Sequence, residues 1–134
     1  PQVTASFNAN TDPSYSRKGE GKGAKKGMAT LKPGVWLAHG FGLHRQKYLA
    51  LVQSRGNVTV MRDGTPDYED TGAFGINIHK GSYINTSSEG CQTIYPGQWN
   101  SFITLVKDQA VRYFGTQWNK VTIPYVLIEN KGDI

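Results

Sequence analysis

Residues 47–62 read KYLALVQSRGNVTVMR, and this stretch decides the fold class. Its two ends, 47–53 and 57–62, are rich in β-branched and aromatic residues, which favour strands. Residues 54–56 (SRG) lie between them and indicate a hairpin turn. We therefore expect two antiparallel strands joined by this turn, with a second turn at 62–64 (RDG).

Residues 74–79 (FGINIH) predict a third strand, because their polarity alternates. One face carries Phe74, Ile76 and Ile78, and the other carries Gly75, Asn77 and His79. His79 would therefore end the strand on the face opposite the isoleucines, where a functional side chain can be exposed.

One long helix and a last strand complete the predicted elements. Residues 96–110 place Trp99, Phe102, Ile103 and Val106 in a single apolar stripe, and Pro96 suits a first helical turn. Residues 120–129 (KVTIPYVLIE) predict a strand at a sheet edge or bulge, because Pro124 cannot donate a ladder hydrogen bond. The fold class expected is mostly β, with one long helix packed on the sheet.

The net charge of +5 is concentrated in one segment. Residues 17–32 contain six of the fifteen basic residues and a single acid, Glu20, whereas the rest of the chain carries equal numbers of each. A nucleic-acid-binding protein usually spreads its basic residues over a folded face, so this class is disfavoured. We expect residues 1–30 to be a flexible polar and basic segment and residues 31–134 to be one folded domain.

Composition excludes several kinds of site. Cys91 is the only cysteine, which excludes a disulfide within the chain and a zinc site built on two thiolates. No apolar run approaches the ~18 residues that a membrane span requires. The first residues are polar, without the apolar core of a secretion signal.

The chemistry is concentrated in residues 78–94, IHKGSYINTSSEGCQTI. A thiol needs a base to become a thiolate near neutral pH, and histidine is suited to that role. His79 precedes Cys91 by twelve positions, and the small and turn-forming residues between them can fold the cysteine back over the histidine. Gly90 permits a backbone conformation that leaves amides directed at an oxyanion.

This pattern resembles the catalytic signature of the L,D-transpeptidase (YkuD-like) domains. That signature is a histidine followed by glycine, a loop, then Ser/Thr-His-Gly-Cys and a short apolar run. The matching residues are His79, Gly81, Ser88, Gly90 and Cys91. The resemblance covers residues 72–95 closely and residues 47–110 through strand order. It implies the β-sandwich or barrel of that family, in a divergent form with Ser-Glu-Gly-Cys in place of Ser-His-Gly-Cys.

The resemblance also implies the roles of individual residues. Cys91 would be the nucleophile and His79 its base, oriented by a backbone carbonyl. The backbone at Gly90 and Cys91 would form an oxyanion hole, with Ser88 shaping the turn. The substrate contacts expected are Gly81, Tyr83, Glu89 and Gln92. Glu89 stands where the family has histidine, and its charge would raise the pKa of the thiol. Gln92 stands where the family has arginine or asparagine, and the spacing from histidine to cysteine is shorter than is typical.

Members of the family act on peptidoglycan stem peptides without a metal or organic cofactor. The resemblance therefore implies transpeptidation, D-amino-acid exchange or L,D-carboxypeptidase activity, in the periplasm or cell wall. The form of the motif is similar to that of phage-borne cell-wall enzymes and delivered bacterial toxins. Residues 17–32 would contact anionic wall polymers.

Two other interpretations remain open. The first is a non-catalytic module that binds cell-wall glycan through stacked aromatic residues, with Tyr83, Tyr95, Trp99 and Trp118 available. The second is a zinc-dependent peptidoglycan hydrolase, since His39, His44, His79 and Cys91 are potential ligands. Residues 41–43 between the first two histidines suggest a loop, and we expect both histidines near a cleft or on the surface. A papain-like hydrolase is disfavoured, because it would place its cysteine before its histidine.

Overall fold

The computed structural model describes residues 3–13, 18–19, 26–83 and 90–132. Within these ranges the strands are β1 (Ala9–Asn10), β2 (Ala29–Leu31), β3 (Gly34–His44), β4 (Tyr48–Gln53), β5 (Val58–Arg62), β6 (Tyr68–Gly72), β7 (Ile78–Lys80), β8 (Gln92–Ile94) and β9 (Ile123–Leu127). The helix α1 (Trp99–Phe114) lies between two 3-10 segments, Pro96–Gln98 and Gly115–Lys120. The expectation of a mostly β fold with one long helix is confirmed.

The strands form two sheets. The larger has six strands in the order β1-β8-β7-β4-β3-β9 and curls into a half-barrel. The smaller has three, in the order β2-β5-β6. Neighbouring strands are antiparallel except for β7 and β8, which are parallel. His79 lies in β7, and Cys91 lies immediately before β8, so this parallel pair positions both residues on which the predicted chemistry depends.

A separate apolar core lies on each side of the larger sheet. One core joins that sheet to α1, and its buried members are Phe41, Ala50, Leu51, Ile78, Ile94, Trp99 and Ala110. The other joins it to the smaller sheet through Ala29, Leu31, Ala38, Val58, Val60 and Ile76. The larger sheet therefore buries apolar side chains in both cores, and the smaller sheet buries its own in the second core.

The predicted helix is present and slightly longer than expected. Pro96 opens a 3-10 turn, and α1 continues to Phe114. Trp99 is 4% exposed, and Phe102, Ile103 and Val106 pack against the same core, as the apolar stripe predicts. Gly115 follows the helix with a φ of 57°, a left-handed conformation that glycine adopts readily.

The predicted hairpin at 54–56 is wrong. β4 pairs with β3 and β7, whereas β5 pairs with β2 and β6, so the chain passes from one sheet to the other at this turn. The physical reason is burial: Leu51 of β4 faces the helix core, and Val58 and Val60 of β5 face the other core. A local turn signal specifies a change of direction but not the partner strand.

Two further expectations need correction. Residues 41–43, expected as a loop, belong to the eleven-residue strand β3. Only the end of the predicted strand 74–79 is a strand, because β7 begins at Ile78. In the preceding segment the amides of Phe74 and Ile76 donate to the side-chain oxygen of Gln53, at 3.2 and 2.9 Å, and not to a neighbouring strand. The last predicted strand does lie at a sheet edge, as Pro124 suggested.

Parts of residues 1–30 are built into the fold, which differs from the expectation of a flexible segment. β1 pairs with β8, β2 pairs with β5, and the rings of Phe7 and Phe102 meet edge to face with centroids 5.4 Å apart. The pairing partners lie far along the chain, so local composition did not reveal them. No helix in the described part of the chain has the length and apolarity needed to cross a membrane.

Candidate active site

The parallel pairing of β7 with β8 places His79 and Cys91 on one face of the larger sheet. Ile78 is in register with Gln92, and His79 with Thr93. Side chains alternate along a strand, so Cys91, immediately before β8, projects on the same side as His79. Ile78 and Gln92 project on the opposite side and are buried.

Cys91 and His79 open into one cleft of about 350 Å³. Its other lining residues come from three parts of the chain: Ala29 and Arg62 from the smaller sheet, His44 and Arg45 from the end of β3, and Phe74, Gly75, Ile76, Asn77 and Gly90 from the segments flanking β7 and β8. A cleft of this size can hold a short length of peptide.

The Cys91 sulfur is held by two backbone groups. The thiol donates to the carbonyl oxygen of Gly75, and the backbone N–H of Asn77 donates to the sulfur, each at 3.3 Å. A hydrogen bond donated to sulfur favours the thiolate, because it stabilises the negative charge. The described contacts include no hydrogen bond between the thiol and the His79 ring. Such bonds are often long before substrate binds.

His79 is oriented as a proton acceptor. Its Nδ1 lies 2.8 Å from the carbonyl oxygen of Lys80, which can only accept, so Nδ1 carries the proton and Nε2 keeps its lone pair. Burial lowers the pKa of His79, the Lys80 hydrogen bond opposes this effect, and the charge of Arg45 lowers the pKa further. The imidazole is therefore neutral and able to accept a proton near neutral pH.

His44 lines the cleft, in agreement with the expectation that it lies near a cleft or on the surface, but the sequence did not predict its contact with His79. Its ring stacks on that of His79, with centroids 4.1 Å apart and planes 13° from parallel. The side-chain amide nitrogen of Asn77 lies 3.1 Å from His44 Nδ1. The strand signal was present in 34–44, but two glycines, Gly40 and Gly42, interrupted the alternation of side chains.

Gly90, beside Cys91, occupies a position where a side chain would be strained and tightly packed. Its φ is 154°, and a Cβ built there would lie 3.1 Å from both Ala29 Cβ and Ile76 Cδ1. The sequence predicted that glycine would be needed next to Cys91, and this packing gives a physical reason for it.

The charged residues that line the cleft are two arginines. Arg45 has a φ of 50° in the turn between β3 and β4, which is closed by a 3.0 Å bond from the Lys47 N–H to the His44 carbonyl. The Arg62 charge is compensated by Asp70, whose carboxylate lies 2.8 Å from its Nε. No acidic side chain lines the cleft in the described part of the chain.

Several residues predicted for the site lie elsewhere. Gly81 lines a second, smaller cleft of about 110 Å³ beside β1, and Tyr83 is exposed, edge to face with Tyr95. The expectation that Gln92 contacts substrate does not agree with its burial: it faces away from the cleft and accepts a 2.9 Å hydrogen bond from the Tyr125 hydroxyl. Ser88 and Glu89 lie outside the described residues.

Three of the four potential zinc ligands, His44, His79 and Cys91, line one cleft, and the fourth, His39, does not. His39 is fully buried and bonded through Nε2 to the carbonyl of Ile76 at 2.7 Å, so it lies in the core and not near a cleft or surface. Among the described residues, no group of three or more histidine, cysteine or acidic side chains could hold a metal ion.

The aromatic residues considered for glycan binding do not form one exposed surface. Trp99 is buried, and Trp118 packs edge to face on Phe41 at 5.1 Å. Only Tyr83 and Tyr95 are both exposed and in contact with each other.

Comparisons with protein-family models, with curated proteins and with solved structures found no match for this chain.

Proposed function

We propose that the protein is a cysteine-dependent acyltransferase or peptidase of the L,D-transpeptidase type, acting on peptidoglycan stem peptides. The observation that carries the proposal is the shared cleft of Cys91 and His79, which brings together a thiol immediately before β8 and, on the adjacent parallel strand β7, a neutral imidazole with an available Nε2 lone pair. This combination of groups is that of an activated thiol nucleophile.

The first half of the reaction forms an acyl-enzyme. His79 Nε2 takes the thiol proton, and Cys91 Sγ bonds to the carbonyl carbon at the L-centre of the stem-peptide diamino acid. The tetrahedral intermediate then collapses: its C–N bond breaks, and the imidazolium returns the proton to the departing amine of the terminal D-amino acid. A thioester on Cys91 remains.

The second half releases the acyl group. An amine or a water molecule attacks the thioester carbonyl while His79 Nε2 accepts its proton, and the C–S bond breaks to regenerate the cysteine. An amine acceptor gives a cross-link or an exchanged D-amino acid, whereas water gives a shortened peptide. Backbone amides at Gly90 and Cys91 are proposed to bind the oxyanion in both halves.

The surroundings of the sulfur support this chemistry. The Asn77 N–H bonds to Sγ at 3.3 Å, and Arg45 adds positive charge to the same cleft. Both stabilise a thiolate relative to a thiol.

Location in the periplasm or cell wall follows from the substrate, and contact of residues 17–32 with anionic wall polymers remains part of the proposal. Three of the basic residues in that segment already have acidic partners: Lys18 with Asp67, Lys26 with Asp70, and Lys32 with Glu69. A wall polymer would compete with these ion pairs, so salt should weaken attachment to sacculi.

The test is mass spectrometry of muropeptides after digestion of purified sacculi with the wild-type protein, Cys91→Ala and His79→Gln. We expect the wild type to remove a terminal D-amino acid, Cys91→Ala to be inactive, and His79→Gln to lose about 10²–10⁴-fold in rate. New dimers or exchanged residues would identify transfer, and shortened monomers alone would identify hydrolysis. Full activity in Cys91→Ala would refute the proposal.

The reactivity of the thiol gives an independent measurement. Alkylation of Cys91 by iodoacetamide at pH 6–7 should be faster than alkylation of glutathione and should slow in His79→Gln. Circular dichroism melts of each variant separate loss of chemistry from loss of folding. A glycan-binding module would instead bind sacculi equally well with Cys91→Ala and show no change in muropeptides.

A further inference from the structure

We infer that His44 is a second functional imidazole of this site, one that donates its Nε2–H to the oxygen of the reacting carbonyl while His79 acts as the base. The inference rests on the proposed thiol chemistry and adds to it a side-chain donor that the sequence motif does not contain.

The hydrogen bonds around Asn77 fix the tautomer of His44. The backbone N–H of Gln53 donates to Asn77 Oδ1 at 2.9 Å, which assigns the other side-chain atom of Asn77 as the amide nitrogen. That nitrogen can only donate, and it lies 3.1 Å from His44 Nδ1. Nδ1 is therefore the acceptor, and the single proton of the neutral ring is on Nε2.

The Nε2–H of His44 is the remaining hydrogen-bond donor of the ring. It has no hydrogen-bond partner among the described residues. In that part of the chain, Nδ1 of His39 is the only fully buried side-chain nitrogen or oxygen that lacks a partner, so His44 Nε2 is not fully buried. His44 Nε2 is therefore accessible, and the surface that His44 lines is the cleft shared with His79 and Cys91. A ligand atom in the cleft can reach it.

The surroundings of His44 keep it uncharged. Burial, followed by the charges of His79 and Arg45, lowers the pKa of His44 to about 4. Tyr48, which packs against the ring at 5.6 Å, is neutral as well, because burial raises its pKa. Among the described residues, the other titratable groups that line the cleft are the Cys91 thiol and the Arg62 guanidinium, which is paired with Asp70. Above pH 5, His44 is therefore a neutral donor, and it does not compete with His79 for the proton of the nucleophile.

The two stacked rings thus have opposite tautomers and complementary roles. His79 is protonated on Nδ1 and accepts at Nε2, whereas His44 accepts at Nδ1 and donates from Nε2. Charge that develops on the carbonyl oxygen in the transition state strengthens a hydrogen bond from such a fixed donor, which lowers the barrier.

Two variants separate donation from packing. His44→Phe keeps a flat ring for the stack but removes the donor, whereas His44→Gln keeps an N–H donor but removes the stack. We expect kcat/KM on a soluble stem peptide to fall by about 10²–10³-fold in His44→Phe, and we expect His44→Gln to be at least about tenfold more active than His44→Phe. Leu43→Phe, on the exposed neighbouring position of β3, is the control for an added ring and should match the wild type.

The alkylation rate of Cys91 provides the second readout, because alkylation forms no oxyanion. It should change less than about threefold in His44→Phe, while turnover falls by the factor given above. Wild-type turnover in His44→Phe, or higher turnover in His44→Phe than in His44→Gln, would overturn the inference and leave the proposed function intact. Activity in Cys91→Ala would instead overturn the proposed function.

Discussion

Substitution of Gly90 by alanine tests the packing beside Cys91 without reference to any substrate. The new methyl group would lie 3.1 Å from Ala29 Cβ and from Ile76 Cδ1, and 3.2 Å from the Ala29 carbonyl oxygen. All three distances are shorter than ordinary van der Waals contact, so β2 and the segment before β7 would have to move.

Two costs contribute to the expected loss of stability. A non-glycine residue at a φ of 154° is strained by about 1–3 kcal/mol. Insertion of a methyl group into a packed core costs about 1–3 kcal/mol more. The sum, roughly 2–6 kcal/mol, is a large part of the ~5–15 kcal/mol by which a typical domain is stable.

Urea unfolding followed by tryptophan fluorescence measures this loss, and Gly115→Ala is the matched control. Gly115 also has a positive φ, 57°, but no atom lies within 4 Å of a Cβ built there. The loss of stability in Gly115→Ala therefore measures backbone strain alone. We expect the free energy of unfolding to fall by at least about 1 kcal/mol more in Gly90→Ala than in Gly115→Ala. Equal losses in the two variants would show that the contacts around Gly90 are not tight and would refute the reasoning.

Three further predictions concern charge and hydrogen bonding. Arg45→Gln removes a charge that lowers the pKa of His79, so the acidic limb of the kcat/KM profile should move to higher pH, and added salt should reduce the difference from the wild type. Hydrogen bonds from neighbouring cations, led by Lys26, lower the pKa of Asp70 in the folded protein. The ionised carboxylate therefore contributes fully to the stability of the fold above about pH 4, and this contribution is lost as the pH falls through the lower folded-state pKa. Asp70→Asn should therefore cost about 1.5–3 kcal/mol in urea unfolding at pH 7, and the difference from wild type should shrink at low pH. Tyr125→Phe leaves the buried side-chain oxygen of Gln92 without its 2.9 Å donor and should cost about 1–3 kcal/mol in the same assay.

Each of these has an outcome that contradicts it. An unchanged acidic limb in Arg45→Gln, with Arg55→Gln as the exposed control, would show that the Arg45 charge does not act on His79. A loss in Asp70→Asn that is equal at pH 7 and pH 3 would assign the effect to packing. Wild-type stability in Tyr125→Phe would mean that water replaces the hydroxyl.

Local sequence patterns identified individual elements well. Three local features each correspond to an observed strand, helix or sheet edge: the strand-favouring composition of 47–53 and 57–62, the apolar stripe from Trp99 to Val106, and the proline at 124. These features depend on near neighbours in the chain, and the sequence contains all the information they need.

Pairing between distant segments was not predictable in this way. The short strands β1, β2 and β8 have two or three residues each, too few for a periodic signal. In β3, residues 41–43 were expected to be a loop, and the strand that contains them has glycines at 40 and 42. In the structure they make room for neighbours, since a Cβ at Gly42 would lie 2.5 Å from Val52 Cγ2. The need for glycine there comes from close contact with a neighbouring strand, which the local sequence pattern does not show.

The same distinction applies to the candidate site. Cys91, His79 and Gly90 were identified from a motif in continuous sequence, and the structure places all three at one cleft. His44 was recognised as a histidine, but its stacking on His79 depends on the fold of β3 and β4. Gln92 was assigned to the substrate because it follows Cys91, although strand alternation directs neighbouring side chains to opposite faces.

The direct bonding of β7 to β8 has a consequence for evolution. The separation of His79 and Cys91 in space is a property of the sheet register and not of the number of residues between them in sequence. Insertions, deletions and recombination in that interval can therefore accumulate without moving the thiol relative to the imidazole. We expect homologous sequences to differ in length there, so a search pattern should specify what flanks the two strands and leave the interval unconstrained.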